Sequence, residues 1–193
     1  MDVVPLGLDG VFEITPRRFE DERGFFSETW SRPKLADAGI DLDFVQDNHS
    51  LSRQAGVLRG LHFQRPPFAQ DKLLRVVAGR VFDVVVDIRA GSPTLGRWVA
   101  RELSAQAGNQ ILVPKGFAHG FLTLEPDTEV IYKVSAPYDA ASDAAIAWDD
   151  PDIGIEWPLG ELGDGAPILS TKDRAAPPLS RVETGFTMEA ERT

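Results

Sequence analysis

The sequence of 193 residues contains no cysteine and only three histidines. Without cysteine, the chain has no disulfide, no thiolate metal ligand and no cysteine nucleophile. No segment approaches the roughly 18 uninterrupted apolar residues of a membrane helix. Residues 1–5 also lack the basic and apolar stretches of a signal peptide. We therefore expect a cytoplasmic protein that has no membrane partner.

Positive charge is also scarce, because 20 Lys and Arg stand against 30 Asp and Glu, which gives a formal net charge of −10. Nucleic acids and anionic membranes are bound through accumulated Lys and Arg, so this balance argues against a nucleic-acid partner. A small anionic ligand needs only a local basic cluster. The candidates for such a cluster are Arg23, Arg59, Lys72 and Arg75.

Short runs rich in β-branched and aromatic residues recur along the chain, separated by Gly, Pro, Asn and Asp. This rhythm predicts an all-β sandwich or barrel. The predicted strands are residues 10–15, 24–30, 44–51, 57–63, 72–77, 81–88, 98–103, 110–113, 118–124 and 129–134. The one convincing helical signal covers residues 32–38, with Pro33 in its first turn.

Two local patterns refine this prediction. Gly79 lies between residues 75–77 and 81–88 and supplies permissive turn geometry, which predicts a hairpin. Nearly every position in residues 81–88 is apolar, which indicates a strand buried on both faces. The length favours a single domain over residues 1–193, with a loop-rich C-terminal extension from about residue 158.

The most informative local feature is a histidine and a lysine, His62 and Lys72, on two consecutive predicted strands. If those strands pair side by side, the two side chains face one cavity. A base beside a cation suits proton abstraction next to a carbonyl, because one takes the proton and the other stabilises the oxyanion. On spacing alone, a structural role for a histidine on an apolar strand is the more common case.

The wider set of motifs resembles the dTDP-4-dehydrorhamnose 3,5-epimerase family. The matching segments occur in the family's order over most of the chain, and it is this ordered set that is specific. They are RGFFSE at 23–28, QDNHS at 46–50, RGLHFQ at 59–64, Lys72, DIR at 87–89, SPT at 92–94, PKGFAHGF at 114–121, YK at 132–133 and STKD at 170–173.

The resemblance implies a cupin-type jelly-roll β-sandwich with a few short helices, working as a homodimer without cofactor or metal. It implies a dTDP-linked 4-keto-6-deoxy sugar as the substrate, inverted at C3 and C5 beside the ketone. The product is then dTDP-4-dehydro-L-rhamnose. The resemblance also implies that an N-terminal strand crosses to the neighbouring subunit, so that Arg23 and Glu28 serve the other site.

Four catalytic roles follow from the resemblance. His62 is the base, and Asp173 orients its ring. Lys72 stabilises the oxyanion that develops on O4 of the sugar. Tyr132 returns a proton from the opposite face, because inversion requires removal and delivery on different sides of the ring.

The resemblance also assigns a set of substrate-binding positions. These are Arg23, Phe26, Glu28, Gln46, Asp47, Asn48, Arg59, Lys72, His119, Asp143 and Lys172. Asp143 departs from the family pattern, where Glu is usual, and its shorter side chain lengthens a contact or leaves it to water. Apart from the resemblance, Arg23 and Glu28 would be interpreted as an ordinary cross-strand salt bridge.

Three alternatives stay open at this stage. A metal-dependent cupin gathers several histidines, often one residue apart on a strand, whereas the position two after His62 is Gln64. A non-catalytic sugar-nucleotide binding protein would not need a base paired with an acid. A mono-epimerase that inverts only C3 or only C5 would use the same residues, and the sequence does not separate it from the double epimerase.

Overall fold

The computed structural model of the protein describes residues 1–162 and 165–188, which are mainly β-strands. The strands are β1 (Asp2–Pro5), β2 (Phe12–Thr15), β3 (Arg18–Asp21), β4 (Gly24–Ser27), β5 (Gln46–Ser52), β6 (Leu58–Gln64), β7 (Lys72–Ala78), β8 (Arg80–Asp87), β9 (Trp98–Ser104), β10 (Gln110–Val113), β11 (Phe117–Thr123), β12 (Thr128–Val134) and β13 (Asp143–Ala145). The helices are α1 (Arg32–Asp37) and α2 (Thr171–Arg174), with 3-10 turns at Leu159–Leu162 and Leu179–Arg181.

Two sheets enclose the main core. One has the strand order β1-β2-β10-β7-β12-β5, and the other has the order β13-β6-β11-β8-β9. Val76 and Val130 of the six-stranded sheet share a buried cluster with Val85 and Phe121 of the five-stranded sheet. The expected jelly-roll β-sandwich is therefore confirmed, and β3 and β4 form a separate two-stranded hairpin.

Most predicted strands are present with small shifts at their ends, and the helix predicted at residues 32–38 is α1. The sequence missed β1, β3 and β13, which have three or four residues each. Such short strands offer too few positions for an alternating pattern to be recognised.

The predicted hairpin around Gly79 is wrong. Strand β7 pairs with β10 and β12, whereas β8 pairs with β9 and β11, so the chain passes from one sheet to the other at this point. Gly79 does adopt the predicted positive φ of 74°. A Cβ there would lie 2.3 Å from Oγ1 of Thr128, so the crossover also requires the missing side chain. A turn glycine signals both kinds of connection equally well.

The strands of His62 and Lys72 do not pair side by side, which was the condition considered for their sharing a cavity. Strand β6 lies in the five-stranded sheet and β7 in the six-stranded sheet. The two side chains still meet, because they face each other across the sandwich. Nζ of Lys72 donates to the carbonyl oxygen of His62 at 3.4 Å.

Strand β8 is buried on both faces, as predicted. Val85 packs in the core between the sheets, whereas Val84 and Val86 pack in a second cluster outside the five-stranded sheet. The C-terminal segment covers that outer face with Ile153, Trp157 and Phe186, among others.

The extension from about residue 158 contains more regular structure than the sequence indicated. It begins with the 3-10 turn Leu159–Leu162 and also contains α2, which the sequence did not predict. A second 3-10 turn lies at Leu179–Arg181, and residues 189–193 lie outside the described part. None of the helices described is long and apolar enough to cross a membrane.

Candidate active site

One end of the sandwich contains a cleft between the sheets, made of two adjoining lobes. The His119 lobe has a volume of about 290 Å³, and the Tyr138 lobe about 230 Å³. Both are lined by His62, Lys72, Tyr132 and Lys172, so they form one site. The His119 lobe adds Ser50, Arg59, Leu74, His119, Phe121, Ser170 and Asp173, and the Tyr138 lobe adds Gln46, Asn48, Phe63, Gln64, Gln70, Tyr138 and Asp143.

Strand alternation aims the reactive side chains into this cleft. Leu61 and Phe63 pack outside the five-stranded sheet, so His62 between them points inward. On the opposite sheet, Leu74 and Val130 belong to the inner core. Lys72 and Tyr132 are each two residues away from one of these and therefore share its inward face.

His62 is paired with the carboxylate of Asp173. Nε2 of His62 lies 2.5 Å from Oδ1 of Asp173, and the His62 side chain is 32% exposed whereas that of Asp173 is only 4% exposed. Oγ of Ser170 donates to the other carboxylate oxygen at 2.7 Å and accepts from the Asp173 amide at 3.1 Å. Nδ1 of His62 is thus the ring nitrogen left for a ligand.

Charge on Asp173 is favoured despite its burial. Burial raises the pKa of this carboxyl, but the hydrogen bonds from His62 and Ser170 and the nearby charge of Lys172 outweigh it and hold the pKa below its ordinary value. The Ser170 cap also begins α2, so the short helix fixes Asp173 in place. A fixed carboxylate sets the orientation and the tautomer of the imidazole.

Lys72 is a buried cation at the start of β7. Burial lowers its pKa from 10.5 to about 8, although the carboxylates of Asp143 and Asp83 act in the opposite direction. A desolvated ammonium group is a strong electrostatic partner for an oxyanion, since the interaction is poorly screened by water.

Tyr132 faces the cleft from β12, in the sheet opposite His62. Burial raises the pKa of its phenol. The negative charge of Asp143 raises this pKa further, whereas the positive charge of Arg59 acts to lower it. The phenol therefore retains its proton at neutral pH and remains a proton donor.

A second histidine–carboxylate pair lies beside the first, and the sequence did not predict it. Nε2 of His119 is 3.0 and 2.9 Å from the two carboxylate oxygens of Asp83. His119 is mid-strand in β11 and directly opposite His62 of β6. Gly60 and Gly120 allow this pairing, because a Cβ on Gly60 would lie 2.5 Å from Cα of Gly120.

Polar groups complete the cleft walls. Nε2 of Gln46 donates to Oδ1 of Asn48 at 2.8 Å. The guanidinium group of Arg59 donates to the carbonyl of Leu51 at 3.3 Å and to Oγ of Ser52 at 3.4 Å. These hydrogen bonds restrain Gln46, Asn48 and Arg59, which the resemblance assigns to ligand binding.

A cluster at the mouth joins three parts of the chain. Nζ of Lys172, from α2, donates to Oδ2 of Asp143, on β13. Oη of Tyr138 donates to the same oxygen at 3.3 Å. Tyr138 is 61% exposed and was not identified in the sequence, because a tyrosine in a loop carries no pattern of its own.

Four predicted site residues lie outside the cleft. Asp47 faces the other side of β5 and pairs with Nζ of Lys133 at 2.9 Å. Arg23 and Phe26 belong to the exposed β3–β4 hairpin, and Glu28 follows it.

The salt bridge considered for Arg23 and Glu28 is absent from the described residues. Arg23 instead pairs with Asp21 at 2.5 Å, and Glu28 pairs with Lys34 at 2.7 Å.

Within residues 1–162 and 165–188, no three His, Asp or Glu side chains are grouped as metal ligands would be. Gln64, two residues after His62, has a structural role. Its amide nitrogen donates to the carbonyls of Phe68 and Pro137 at 2.7 and 3.1 Å, and its oxygen accepts from the amide of Asp139 at 2.8 Å.

The arrangement as a whole can move protons on both sides of a bound ring. A carboxylate-supported imidazole, His62, lies in one wall, and a protonated phenol, Tyr132, lies in the other. Lys72 supplies a cation to the same cleft from the wall that holds Tyr132. This set can deprotonate a carbon next to a ketone and reprotonate it from the opposite face.

Comparisons with known proteins agree with this chemistry. The chain matches the family model of dTDP-4-dehydrorhamnose 3,5-epimerases over residues 5–181. It is 52% identical over 185 residues to the dTDP-4-dehydrorhamnose 3,5-epimerase of Sinorhizobium fredii, covering 94% of this chain and 91% of that one.

The solved structures that are similar to this protein include two with a dTDP-sugar bound. A dTDP-6-deoxy-D-glucose-3,5-epimerase from Legionella pneumophila, in complex with dTDP-4-keto-L-rhamnose, aligns with a TM-score of 0.91 at 42% identity, covering 98% of this chain and 99% of that one. A 3'-monoepimerase from Streptomyces bikiniensis, in complex with dTDP-quinovose, aligns with a TM-score of 0.85 at 35% identity, covering 92% and 87%. Because the family model matches residues 5–181 and the relatives are similar over most of its length, the chain belongs to the dTDP-4-dehydrorhamnose 3,5-epimerase family, whose fold is cupin-type.

Proposed function

We propose that the protein is an isomerase that inverts C3 and C5 of dTDP-4-dehydro-6-deoxy-D-glucose to give dTDP-4-dehydro-L-rhamnose. The observation that carries this proposal is the position of His62 and Tyr132 in opposite walls of one cleft, with Lys72 in the same wall as Tyr132. The family membership supports the substrate class.

The first step is proton abstraction. Nδ1 of His62 takes the proton from the carbon beside the ketone, and the electron pair of the C–H bond forms the C=C bond of an enolate. The carbonyl electrons move onto O4, where the ammonium group of Lys72 stabilises the charge. Asp173 stabilises the imidazolium that forms, because its carboxylate accepts from Nε2.

The second step is delivery from the other face. Tyr132 donates its phenolic proton to the carbanionic carbon, the C=C bond becomes the new C–H bond, and the ketone is restored. Tyr132 then regains a proton from solvent and His62 loses one to it. The same two groups act at C3 and at C5 if the ring turns in the cleft between the two events.

The remaining cleft residues would hold the nucleotide and the sugar. Arg59 and Lys172 provide positive charge for the diphosphate, and Gln46, Asn48 and His119 provide hydrogen bonds. Asp143 already accepts from Lys172 and Tyr138, so we expect it to contact the substrate only after that cluster rearranges.

The remaining predictions concern location, assembly and cofactors. We propose a single domain over residues 1–193, acting in the cytoplasm without cofactor or metal. We also propose a homodimer in which Arg23, Phe26 and Glu28 reach the neighbouring site, which accounts for their distance from the cleft of their own chain. Asp47 is paired with Lys133 away from the cleft, so a role in binding would require it to turn.

A mono-epimerase is the second candidate, because the 3'-monoepimerase has the same fold at a TM-score of 0.85. The two functions differ in where solvent hydrogen enters the sugar. Incubation with dTDP-4-dehydro-6-deoxy-D-glucose in deuterated water, followed by NMR of the sugar, locates the label. We expect deuterium at C3 and C5. Label at one carbon alone would establish the mono-epimerase, and an unlabelled sugar would refute both.

A further inference from the structure

The second histidine–carboxylate pair belongs to a row of side chains on three neighbouring strands. Asp83 of β8, His119 of β11 and His62 of β6 all face the space between the sheets. Oδ2 of Asp83 is 2.9 Å from Nε2 of His119, and His119 is the strand partner of His62. The row thus runs from the buried core to the cleft.

Asp83 itself cannot touch a ligand. Its side chain is 0% exposed, and His119 is its only side-chain hydrogen-bond partner among the residues that the structure describes. Val81 and Val85, on the same face of the same strand, pack in the hydrophobic core. An isolated carboxylate is costly in such surroundings, so an apolar side chain would suit the core better.

The cost of burying the Asp83 carboxylate is explained if this carboxylate controls the imidazole ring of His119. Since Nε2 of His119 is committed to Asp83, Nδ1 is the only ring nitrogen left for a ligand. His119 lines the cleft, whereas Asp83 does not. We propose that Asp83 is a positioning residue for the reaction, which fixes the orientation and tautomer of His119 so that Nδ1 meets the substrate.

This inference rests on the proposed function. Several ionisable groups surround His119. The ionisable groups that face His119 from the packed elements, besides Asp83, are Arg59, His62, Lys72, Tyr132, Lys172 and Asp173. Burial raises the pKa of Asp83 above its ordinary value, and the charges of His119 and Lys72 and the hydrogen bond from His119 offset this only in part.

The test is a double-mutant cycle on kcat/KM with Asp83→Asn, His119→Ala and the double variant. If Asp83 acts through His119, Asp83→Asn lowers kcat/KM roughly 10- to 100-fold, as expected for a misplaced contact group. In the His119→Ala background the same substitution then has little further effect. Equal losses in both backgrounds would overturn the proposal.

A matched control separates positioning from stability. Asp87 lies on the same strand and is also 0% exposed, but its partners are Arg89, Ser92 and Thr94, away from the cleft. We expect Asp87→Asn to lower the melting temperature while kcat/KM stays near that of the wild type. If Asp87→Asn and Asp83→Asn lower kcat/KM equally, the effect is general and the proposal fails.

A second measurement does not depend on the reaction. The chain has only three histidines, so the ring ¹⁵N signals of the substrate-free protein are assignable by substitution. We expect Asp83→Asn to shift the His119 signals and to leave those of exposed His49 in place. Unchanged His119 signals would contradict the inference, whereas a wild-type protein without any hydrogen exchange in the sugar would instead contradict the proposed function.

Discussion

At the scale of single residues, the base His62 and the acid Tyr132 have different surroundings, which suit their different roles. The pKa of Asp173 is held below its ordinary value, so its carboxylate is ionised and accepts a hydrogen bond from Nε2 of His62. Tyr132 is kept protonated by burial. Inversion requires a proton acceptor in one wall of the cleft and a proton donor in the opposite wall.

Lys72 gives a prediction about pH. Its pKa is about 8, so the ammonium group is present below that pH and is lost as the pH rises through it. Because stabilisation of the oxyanion needs the charge, kcat/KM of the wild type should fall on the alkaline side near this value. In Lys72→Arg the side chain stays charged, so this fall should move to higher pH even though the overall rate is lower. If kcat/KM fell at the same alkaline pH in both proteins, the fall would be due to a group other than Lys72.

Tyr132 gives a prediction that separates the two proton transfers. Tyr132→Phe removes the acid but leaves His62, Asp173 and Lys72 in place. We expect epimer formation to fall by about a hundredfold or more, while exchange of the substrate hydrogen with deuterated solvent falls much less. NMR of one reaction measures both rates. Equal losses of exchange and of inversion would contradict the assignment of Tyr132 as the acid.

Most cleft residues were predictable from ordered motifs, but Asp83 was not. The apolar run at residues 81–88 predicts a strand buried on both faces, and β8 is such a strand. An aspartate inside such a run was the available signal, since a buried carboxylate requires a partner. Its partner His119 is 36 residues away, so only the fold could show the pair.

At the scale of secondary-structure elements, strand positions were predictable and strand partners were not. Local alternation and turn residues located most strands, whereas the sheet to which β7 and β8 belong depends on pairing with β9, β10, β11 and β12. The same limit applies to α2. Its four residues are too short for a helical period, yet this helix carries Lys172 and Asp173 into the cleft.

The turn after β8 gives a prediction about stability. Burial opposes the charge of Asp87, but hydrogen bonds from Arg89, Ser92 and Thr94 prevail and hold its pKa at about 2, below the ordinary 3.8. Stabilisation from a lowered pKa is complete above the ordinary value and is lost as the pH falls towards the folded value. Asp87→Asn should therefore lower the free energy of unfolding by about 2 kcal/mol at neutral pH.

Denaturant titrations at several pH values check this. The difference between Asp87→Asn and the wild type should shrink as the pH falls from the ordinary value towards about 2. Asp41→Asn is the control, because Asp41 is an exposed carboxylate, 69% exposed, with a surface partner, Arg32. A difference for Asp87→Asn that did not change with pH would show that its charge is not the cause.

At the scale of the whole molecule, the β3–β4 hairpin is an exposed feature that lies away from the cleft of its own chain. Phe25 and Phe26 are 61% and 71% exposed, and the nearby charges of Arg23 and Glu28 lie outside the cleft of their own chain. Exposed aromatic side chains beside charged ones are typical of a surface that meets another chain. The resemblance predicts that Arg23 and Glu28 serve the neighbouring subunit, and this stays a prediction.

Mixing two inactive variants tests the shared site. In a heterodimer of His62→Ala with Arg23→Ala, one site receives His62 from one chain and Arg23 from the other, and both are intact. If the hairpin serves the neighbouring site, random mixing should restore about a quarter of the wild-type activity. If each hairpin serves its own chain, every site in the mixture stays defective and no activity returns.

The central claim is that His62 removes the hydrogen beside the ketone, and the most direct measurement is deuterium incorporation by His62→Ala. His49→Ala is the matched control, because His49 is exposed and pairs with Glu129 away from the cleft. The account predicts that His62→Ala still binds dTDP but incorporates no label at C3 or C5, while His49→Ala labels the sugar like the wild type. Labelling by His62→Ala at a rate near that of the wild type would contradict the account.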